Sequence, residues 1–247
     1  MNRPKKGTAT MATSLQDRTV VVIGRPSGIA RAVTESAVAA GAQVVVAGRD
    51  ARKLADAYDG KLRSERVDVT DDDSIATLAA ALGPIDHVVS TASARARGVL
   101  GELDRDAVLN SLNTKVIGPL MLAKHLAPQL AADGSFTLFS GVAAFKPAVG
   151  YLGVAITNGA ADFLTRCLAL ELAPIRVNAI SPGVIDTGAW DAMGEEGKQA
   201  YFEHFRTHNP ARRIGTSQDI ADAVLFAMTS PFLTGVTLRV DGGEPLT

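Results

Sequence analysis

A short glycine-containing turn near the start of the chain has the composition of a phosphate-binding site. The apolar run Thr19–Gly24 ends at this turn, and a helical pattern begins at Gly28. Gly24 permits a tight turn, Gly28 allows a phosphate to approach the backbone, and the small Ala30 allows helix and strand to pack closely. Because a helix N-terminus offers free N–H groups and a positive dipole end, it favours a pyrophosphate. The residues predicted to line this part of a dinucleotide site are Gly24, Arg25, Ser27, Gly28 and Ile29.

The end of the second apolar run bears on which dinucleotide would bind. The run Gln43–Gly48 is followed by Arg49 and then by Asp50. An acidic residue here would hold a ribose 2′-hydroxyl, as in NAD, whereas an arginine suits a 2′-phosphate. Arg49 comes first and Arg25 can assist it, so we predict NADP as the cofactor, with NAD as the alternative that Asp50 leaves open.

Apolar runs alternate with helical patterns along the whole chain, which predicts the element order of a doubly wound fold. The runs that read as strands are Thr19–Gly24, Gln43–Gly48, Arg63–Val69, Ile85–Ala92, Ser135–Ser140, Ile175–Ile180 and Val236–Val240. The helical patterns are Gly28–Ala40, Ala51–Tyr58, Asp72–Leu82, Arg105–Ala132 with an interruption near Gly118-Pro119, Tyr151–Leu172, a partly helical insertion Ala189–His208, and Ser217–Thr229. Apolar strands joined by helices predict an α/β Rossmann domain with a seven-stranded, mostly parallel sheet covered by helices on both faces.

Composition limits the classes of protein that the chain can represent. With 47% hydrophobic residues and a net charge of −1, we expect one packed domain over residues 15–247, no nucleic-acid partner, and a disordered tail over residues 1–14. No apolar run is long enough for a membrane span, so we expect a cytoplasmic protein without a membrane partner. Cys167 lies in a helical pattern and is expected to be buried. We expect no metal site, because His204 and His208 lack further ligands at suitable spacing.

Several motifs together resemble the short-chain dehydrogenase/reductase family from about Leu15 onwards. The family's Thr-Gly-x-x-x-Gly-Ile-Gly appears as residues 23–30, its sixth-strand signature is similar to residues 176–183, and its C-terminal Asp-Gly-Gly is similar to residues 241–243. The Asp-Val that contacts adenine in the family is similar to Asp68-Val69, and its central-helix asparagine resembles Asn113. The resemblance implies NADP-type cofactor contacts at Asp68, Val69, Ala92, Asn158, Pro182, Gly183, Ile185 and Thr187.

The family's proton-transfer motif, Tyr-x-x-x-Lys, is not matched at the expected place. Alignment on the flanking motifs puts Val154 at the tyrosine position, Asn158 at the lysine position and Gly141 at the serine position. In the family, the tyrosine passes a proton to the carbonyl oxygen and the lysine lowers the pKa of the tyrosine. Valine cannot donate a proton, and asparagine can hydrogen-bond a ribose but carries no charge.

Other residues are candidates to replace the missing groups. The candidate catalytic residues are Asn113, Ser140 and Tyr151, although Tyr151 lies three residues before the usual position and Ser140 one residue before the usual serine. Lys146 lies in a loop near the site and is expected to be a surface residue, and Lys115 is expected to face away from it. His204 and His208 share a helix face in the insertion, where histidine is a natural proton donor.

Three functions fit these observations. The first is an NADP-dependent oxidoreductase with altered proton chemistry, acting on a small carbonyl or alcohol substrate. The second is a catalytically inactive nucleotide-binding or structural homologue, and the third is a lyase or isomerase that uses the same pocket without hydride transfer. The resemblance also implies a homo-oligomer, a tetramer or a dimer, formed through the long central helix and the helix that carries Val154. On the latter helix, Phe163, Cys167 and Leu170 form an apolar stripe that fits either the core or an interface.

Overall fold

A computed structural model describes residues 14–188 and 190–247 of the chain. The predicted disordered tail, residues 1–14, lies outside the described residues except for Ser14. Within these ranges the strands are β1 Thr19–Ile23, β2 Gln43–Gly48, β3 Arg63–Arg66, β4 Ile85–Ser90, β5 Leu130–Phe139, β6 Arg176–Pro182, β7 Ile185–Asp186, β8 Gly215–Thr216 and β9 Thr237–Val240. The helices are α1 Gly28–Ala39, α2 Ala51–Ala57, α3 Asp72–Ala81, α4 Arg105–Leu112, α5 Gly118–Leu126, α6 Leu152–Glu171, α7 Gly194–His208 and α8 Ser217–Thr229.

Seven strands form one parallel sheet in the order β3-β2-β1-β4-β5-β6-β9, counted over the described ranges, and β7 pairs with β8 beside it. Strand residues alternate between the two faces. In β1, Val20 and Val22 pack with α1 and α8 on one face, whereas Val21 and Ile23 pack with α3, α5 and α6 on the other. Both faces are therefore buried, and the predicted Rossmann fold is confirmed.

The central helical region differs from the predicted continuous helix. Between α4 and α5, residues 113–117 form a π-helical turn, in which the N–H of Gly118 donates to the carbonyl of Asn113. Pro119 lacks an N–H and cannot donate to the carbonyl of Lys115, which accounts for the break in the α-helical pattern. The predicted end at Ala132 is wrong, because α5 ends at Leu126 and the chain enters β5 at Leu130.

The apolar stripe of α6 lies on the surface rather than in the core. Cys167 is exposed, and Phe163 and Leu170 are 61% and 82% exposed. The prediction of a buried Cys167 is wrong because α6 packs on the sheet through a different face, which carries Ala161 and Leu168. Among the described helices, none combines the length and apolar character that crossing a membrane requires.

Candidate active site

The carboxyl ends of the parallel strands meet at one edge of the sheet, where the chain order reverses between β1 and β4. In doubly wound sheets, ligands bind in the crevice at this point. The turn after β1, residue Arg49 after β2, Thr91 after β4 and Ser140 after β5 all lie at this edge. The topology therefore brings the predicted phosphate turn and the residues of the β5–α6 region to one cleft.

In the phosphate turn, the N–H of Ser27 donates to the carbonyl of Arg25 at 2.8 Å, whereas the N–H groups of the first turn of α1 have no protein acceptor within the described residues. Ser27 precedes α1 without a capping bond from its side chain, and the first turn of α1 contains no acidic residue. Gly28 has a φ of +55°, a left-handed value that glycine adopts without strain. A Cβ atom at Gly28 would lie 3.1 Å from the Cβ of Thr187, so glycine also permits the segment after β7 to approach the turn. This cradle of free N–H groups fits a dinucleotide diphosphate.

Three arginines surround this cradle at the ends of β1, β2 and β3. Arg25, Arg49 and Arg66 form no ion pair with any residue of the described ranges. Asp50, which left the cofactor choice open in the sequence, uses its carboxylate to cap α2 by accepting from the N–H of Lys53 at 3.0 Å. Asp68 accepts from the N–H and hydroxyl of Thr70, and these bonds, with the charges of Arg49 and Arg66, lower the pKa of Asp68.

A buried lysine faces the helix that carries Asn158. The ammonium of Lys115 donates to the carbonyl of Ser140 at 2.8 Å and to the side-chain oxygen of Asn158. Burial, assisted by the charge of Arg95, lowers the pKa of Lys115 to about 7. The expectation that Lys115 faces away from the site is wrong: residues two apart lie on nearly opposite sides of a helix, and the side that faces Asn158 carries Lys115, whereas Asn113 is exposed. Near neutral pH, Lys115 can therefore both hold and release a proton.

The neighbourhood of Asn158 explains why a glycine stands at position 141. Ser140 is buried, and its hydroxyl donates to the backbone carbonyl of Asn158 at 2.9 Å. A Cβ atom at Gly141 would lie 2.7 Å from the side-chain nitrogen of Asn158, so a serine at position 141 would require this amide to move. Val154 lies one helical turn before Asn158 on α6 and is half-buried.

The other candidates lie outside this cluster. Asn113 is exposed, and its side chain is not joined to Lys115 or Asn158 by any described hydrogen bond. The imidazole rings of His204 and His208 stack on each other on the exposed side of α7, with 4.3 Å between the ring centres. Lys146 donates to the carbonyl of Glu244 and to the hydroxyl of Thr247, so it ties the end of the chain to the β5–α6 loop.

Comparison with known proteins decides the family. A family model described as Enoyl-(Acyl carrier protein) reductase matches residues 23–244. Short-chain dehydrogenase/reductase ucsE of Acremonium sp is 34% identical over 260 residues, which cover 94% of this chain and 97% of that protein. The chain belongs to the short-chain dehydrogenase/reductase family.

Solved structures of this family superpose over nearly the whole chain. A small-chain dehydrogenase crystallised in complex with NADPH is 32% identical, with a TM-score of 0.84 over 94% of this chain and 100% of that one. The MalC reductase/Diels-Alderase of Malbranchea aurantiaca is 25% identical, with a TM-score of 0.87 over 96% of this chain and 100% of that one. The family resemblance inferred from the motifs is thus confirmed.

In this short-chain dehydrogenase/reductase, Tyr151 belongs to a second group of residues at the mouth of the cleft. Tyr151 directly precedes α6, and the guanidinium of Arg97 lies 5.0 Å from the centre of its ring. The rest of this group could not be found from the sequence, because its members come from the segment after β4, the segment after β7 and helix α7, and no local pattern brings these three parts of the chain together. The residues that sequence analysis missed are Arg66 at the nucleotide end and Arg95, Arg97, Trp190 and Tyr201 at the mouth of the cleft.

Proposed function

We propose that this member of the short-chain dehydrogenase/reductase family is an NADP(H)-dependent oxidoreductase that interconverts a small carbonyl compound and its alcohol. The observation that carries the proposal is the group of unpaired arginines beside the phosphate cradle. Asp50 is engaged in capping α2, which leaves Arg25, Arg49 and Arg66 as the charged side chains at this edge that suit a 2′-phosphate. The NADPH bound to a structural neighbour agrees with this choice.

Lys115 is the proposed source of the proton. By the family alignment, the usual tyrosine and lysine positions hold Val154 and Asn158, and neither side chain is an acid. The ammonium of Lys115 uses two of its three N–H groups on Ser140 and Asn158, which leaves one for a substrate oxygen or a water molecule. With a pKa lowered to about 7, Lys115 releases a proton more readily than an ordinary lysine.

The remaining residues of the cleft hold the reactants. When bound, NADPH supplies the hydride. Asn158 accepts from Lys115 through its oxygen and keeps its amide N–H groups for a ribose hydroxyl, while Thr187 lies over the phosphate turn. Val154 presents an apolar surface that limits access of water to the reacting carbon. Orientation by these groups contributes to the rate independently of the proton donor.

The cofactor proposal predicts a difference between the two nucleotides. We expect NADPH to raise the melting temperature more than NADH does, because a ligand that binds only the folded state stabilises it in proportion to occupancy. Replacing Arg49 with serine is expected to weaken NADPH binding about 10- to 100-fold, the range of a charge-assisted hydrogen bond, and to leave NADH binding unchanged. Arg52→Ser, at an exposed position on α2, is the control. A chain that neither nucleotide stabilises would refute the proposal.

The alternatives give different results in the same preparation. A nucleotide-binding protein without activity would be stabilised by NADPH but would turn over no carbonyl or alcohol. A lyase, an isomerase or a catalyst of the kind named for the MalC neighbour would act without NADP(H) consumption. Measuring product and NADPH oxidation together therefore separates all three functions.

We also propose that the protein is a homo-oligomer joined through the exposed stripe of α6. Isolated apolar residues are common on surfaces, but a stripe with Phe163, Cys167 and Leu170 is typical of a contact between protein chains. Replacing Phe163 and Leu170 with glutamate is expected to reduce the mass measured by light scattering to that of a smaller species. Phe232→Glu, at a fully exposed phenylalanine outside α6, should leave the mass unchanged. An unaltered mass in the double variant would exclude this face.

A further inference from the structure

Two arginines and three aromatic residues form a cluster at the mouth of the cleft. Arg95 and Arg97 follow β4, Tyr151 precedes α6, and Trp190 and Tyr201 come from the segment between β7 and β8. The guanidinium of Arg97 lies 5.0 Å from the ring centre of Tyr151 and 5.5 Å from that of Trp190. The guanidinium of Arg95 lies 5.9 Å from the ring centre of Trp190.

The aromatic rings of the cluster are held in place by their own contacts. The indole N–H of Trp190 donates to the carbonyl of Ile185 at 2.9 Å, and the indole is 92% buried by its surroundings. The ring of Tyr201 lies 4.7 Å from that of Trp190 and 4.9 Å from that of Phe205. Arg97 therefore contacts rings that are fixed by neighbouring residues.

The cluster has excess positive charge. Within the described part of the chain, neither Arg95 nor Arg97 forms an ion pair with a carboxylate. Burial lowers the pKa of Arg95, with a smaller contribution from the charge of Arg97, and burial lowers the pKa of Lys115, with a smaller contribution from the charge of Arg95. Two carboxylates lie near these rings: Asp191, which follows Trp190 and is paired with Lys198 at 2.7 Å, and Glu244, which acts on Tyr201 and whose pKa burial raises. An anion bound here would relieve this repulsion.

The position of Arg97 indicates the shape of that anion. The guanidinium of Arg97 lies beside two aromatic rings and makes no hydrogen bond or ion pair within the described residues, so its N–H groups are available, and its planar fork matches the two oxygens of a carboxylate. We propose that Arg97, assisted by Arg95, binds the carboxylate of a keto-acid substrate, or of the corresponding hydroxy acid, whose carbonyl lies toward Lys115. The site as a reaction site rests on the proposed function, but binding of the carboxylate does not require turnover.

The fluorescence of Trp190 reports ligand binding at this cluster, because Trp190 is the single tryptophan of the chain. The experiment titrates phenylglyoxylate, an aromatic keto acid, into the full chain with and without saturating NADPH and follows tryptophan fluorescence. Its methyl ester has the same carbonyl and ring without the charge. We expect the acid to quench the fluorescence and to bind at least about tenfold more tightly than the ester, as a charge-assisted bidentate contact implies.

Two variants of Arg97 separate the contribution of its positive charge to acid binding from the contribution of the bidentate guanidinium geometry. Arg97→Met is expected to abolish the preference for the acid, and Arg97→Lys to retain only part of it because an ammonium cannot bind in the bidentate manner. The matched control is Arg166→Met, since Arg166 also lies 5.0 Å from an aromatic ring, that of Phe163, but on the outer side of α6 and paired with Asp162. Melting temperatures confirm that each variant is folded.

The outcomes distinguish this proposal from the proposed function. Equal affinity for acid and ester, or an unchanged preference in Arg97→Met, overturns the carboxylate site even if neutral ketones are reduced. Tighter binding of phenyl phosphate than of phenylglyoxylate also overturns it, in favour of a phosphate ligand. Binding of the acid that depends on Arg97, without any NADPH oxidation, supports the site and refutes the proposed function.

Discussion

Replacing Lys115 with methionine is expected to lower kcat for carbonyl reduction about 10²- to 10⁴-fold, the usual cost of losing a general acid. Methionine fills a similar volume, so the loss reports the ammonium rather than a cavity. The bond from Lys115 to Asn158 places this ammonium beside the residue that aligns with the family's lysine. The measurement is steady-state reduction at saturating NADPH, with NADPH affinity determined separately by thermal stabilisation.

The control for this variant is another lysine of the same helical region. Lys124→Met on α5 removes an ammonium that is 57% exposed and lies at the surface. It should leave kcat unchanged. If Lys115→Met retains full kcat, Lys115 is not the proton donor, whatever the cofactor does. A rise in KM with constant kcat would instead assign Lys115 to substrate binding.

The dependence of kcat on pH tests the role of Lys115 as proton donor independently of this substitution. Donation requires the protonated form of Lys115, which is present below its pKa of about 7 and lost above it. The kcat for reduction should therefore be constant at low pH and fall as the pH rises through about 7, whereas the residual rate of Lys115→Met should lack this step. An increase in reduction with pH in this range would contradict the assignment.

The sheet and the nucleotide end could be predicted from sequence because local pattern determines them. Four consecutive apolar residues, as in β1 from Val20 to Ile23, are typical of a strand covered on both faces, and glycines at 24 and 28 have few uses directly after such a run. The choice between Arg49 and Asp50 could not be made in this way. The choice depends on whether the carboxylate of Asp50 caps α2, and this contact can be seen only once the path of the backbone is known.

The proton-transfer centre was harder to predict from the sequence, because it depends on which side of the central helix faces the cleft. The family resemblance placed Asn113 in the cleft, and helical spacing from Asn113 then placed Lys115 away from it; in the structure Lys115 is buried and Asn113 is exposed. Pro119 was the available signal, since a proline inside a helical pattern removes a backbone donor four residues from Lys115.

The contact between Lys115 and Asn158 implies that their residue types are interdependent. The family resemblance places a lysine at position 158 of α6, where this chain has an asparagine, and the lysine that contacts Asn158 stands instead on the central helical region, two residues after Asn113. Introducing Asn158→Lys alone would bring two ammonium groups together in a buried position. Such a pair cannot hold both charges without loss of stability, because burial already lowers the pKa of Lys115.

We therefore expect Asn158→Lys to lower the free energy of unfolding by about 3–5 kcal/mol at pH 7, and Lys115→Asn added to it to recover most of this loss. The measurement is urea unfolding of the four proteins of a double-mutant cycle, with a coupling energy of about 2 kcal/mol or more. The matched control adds Lys124→Asn to Asn158→Lys and should recover nothing, since Lys124 is a surface lysine. The loss should shrink at pH 9, where the lysines of a buried pair are neutral. Additive effects of Lys115→Asn and Asn158→Lys would show that the two positions vary independently, and the role of Lys115 would then have to be argued without Asn158.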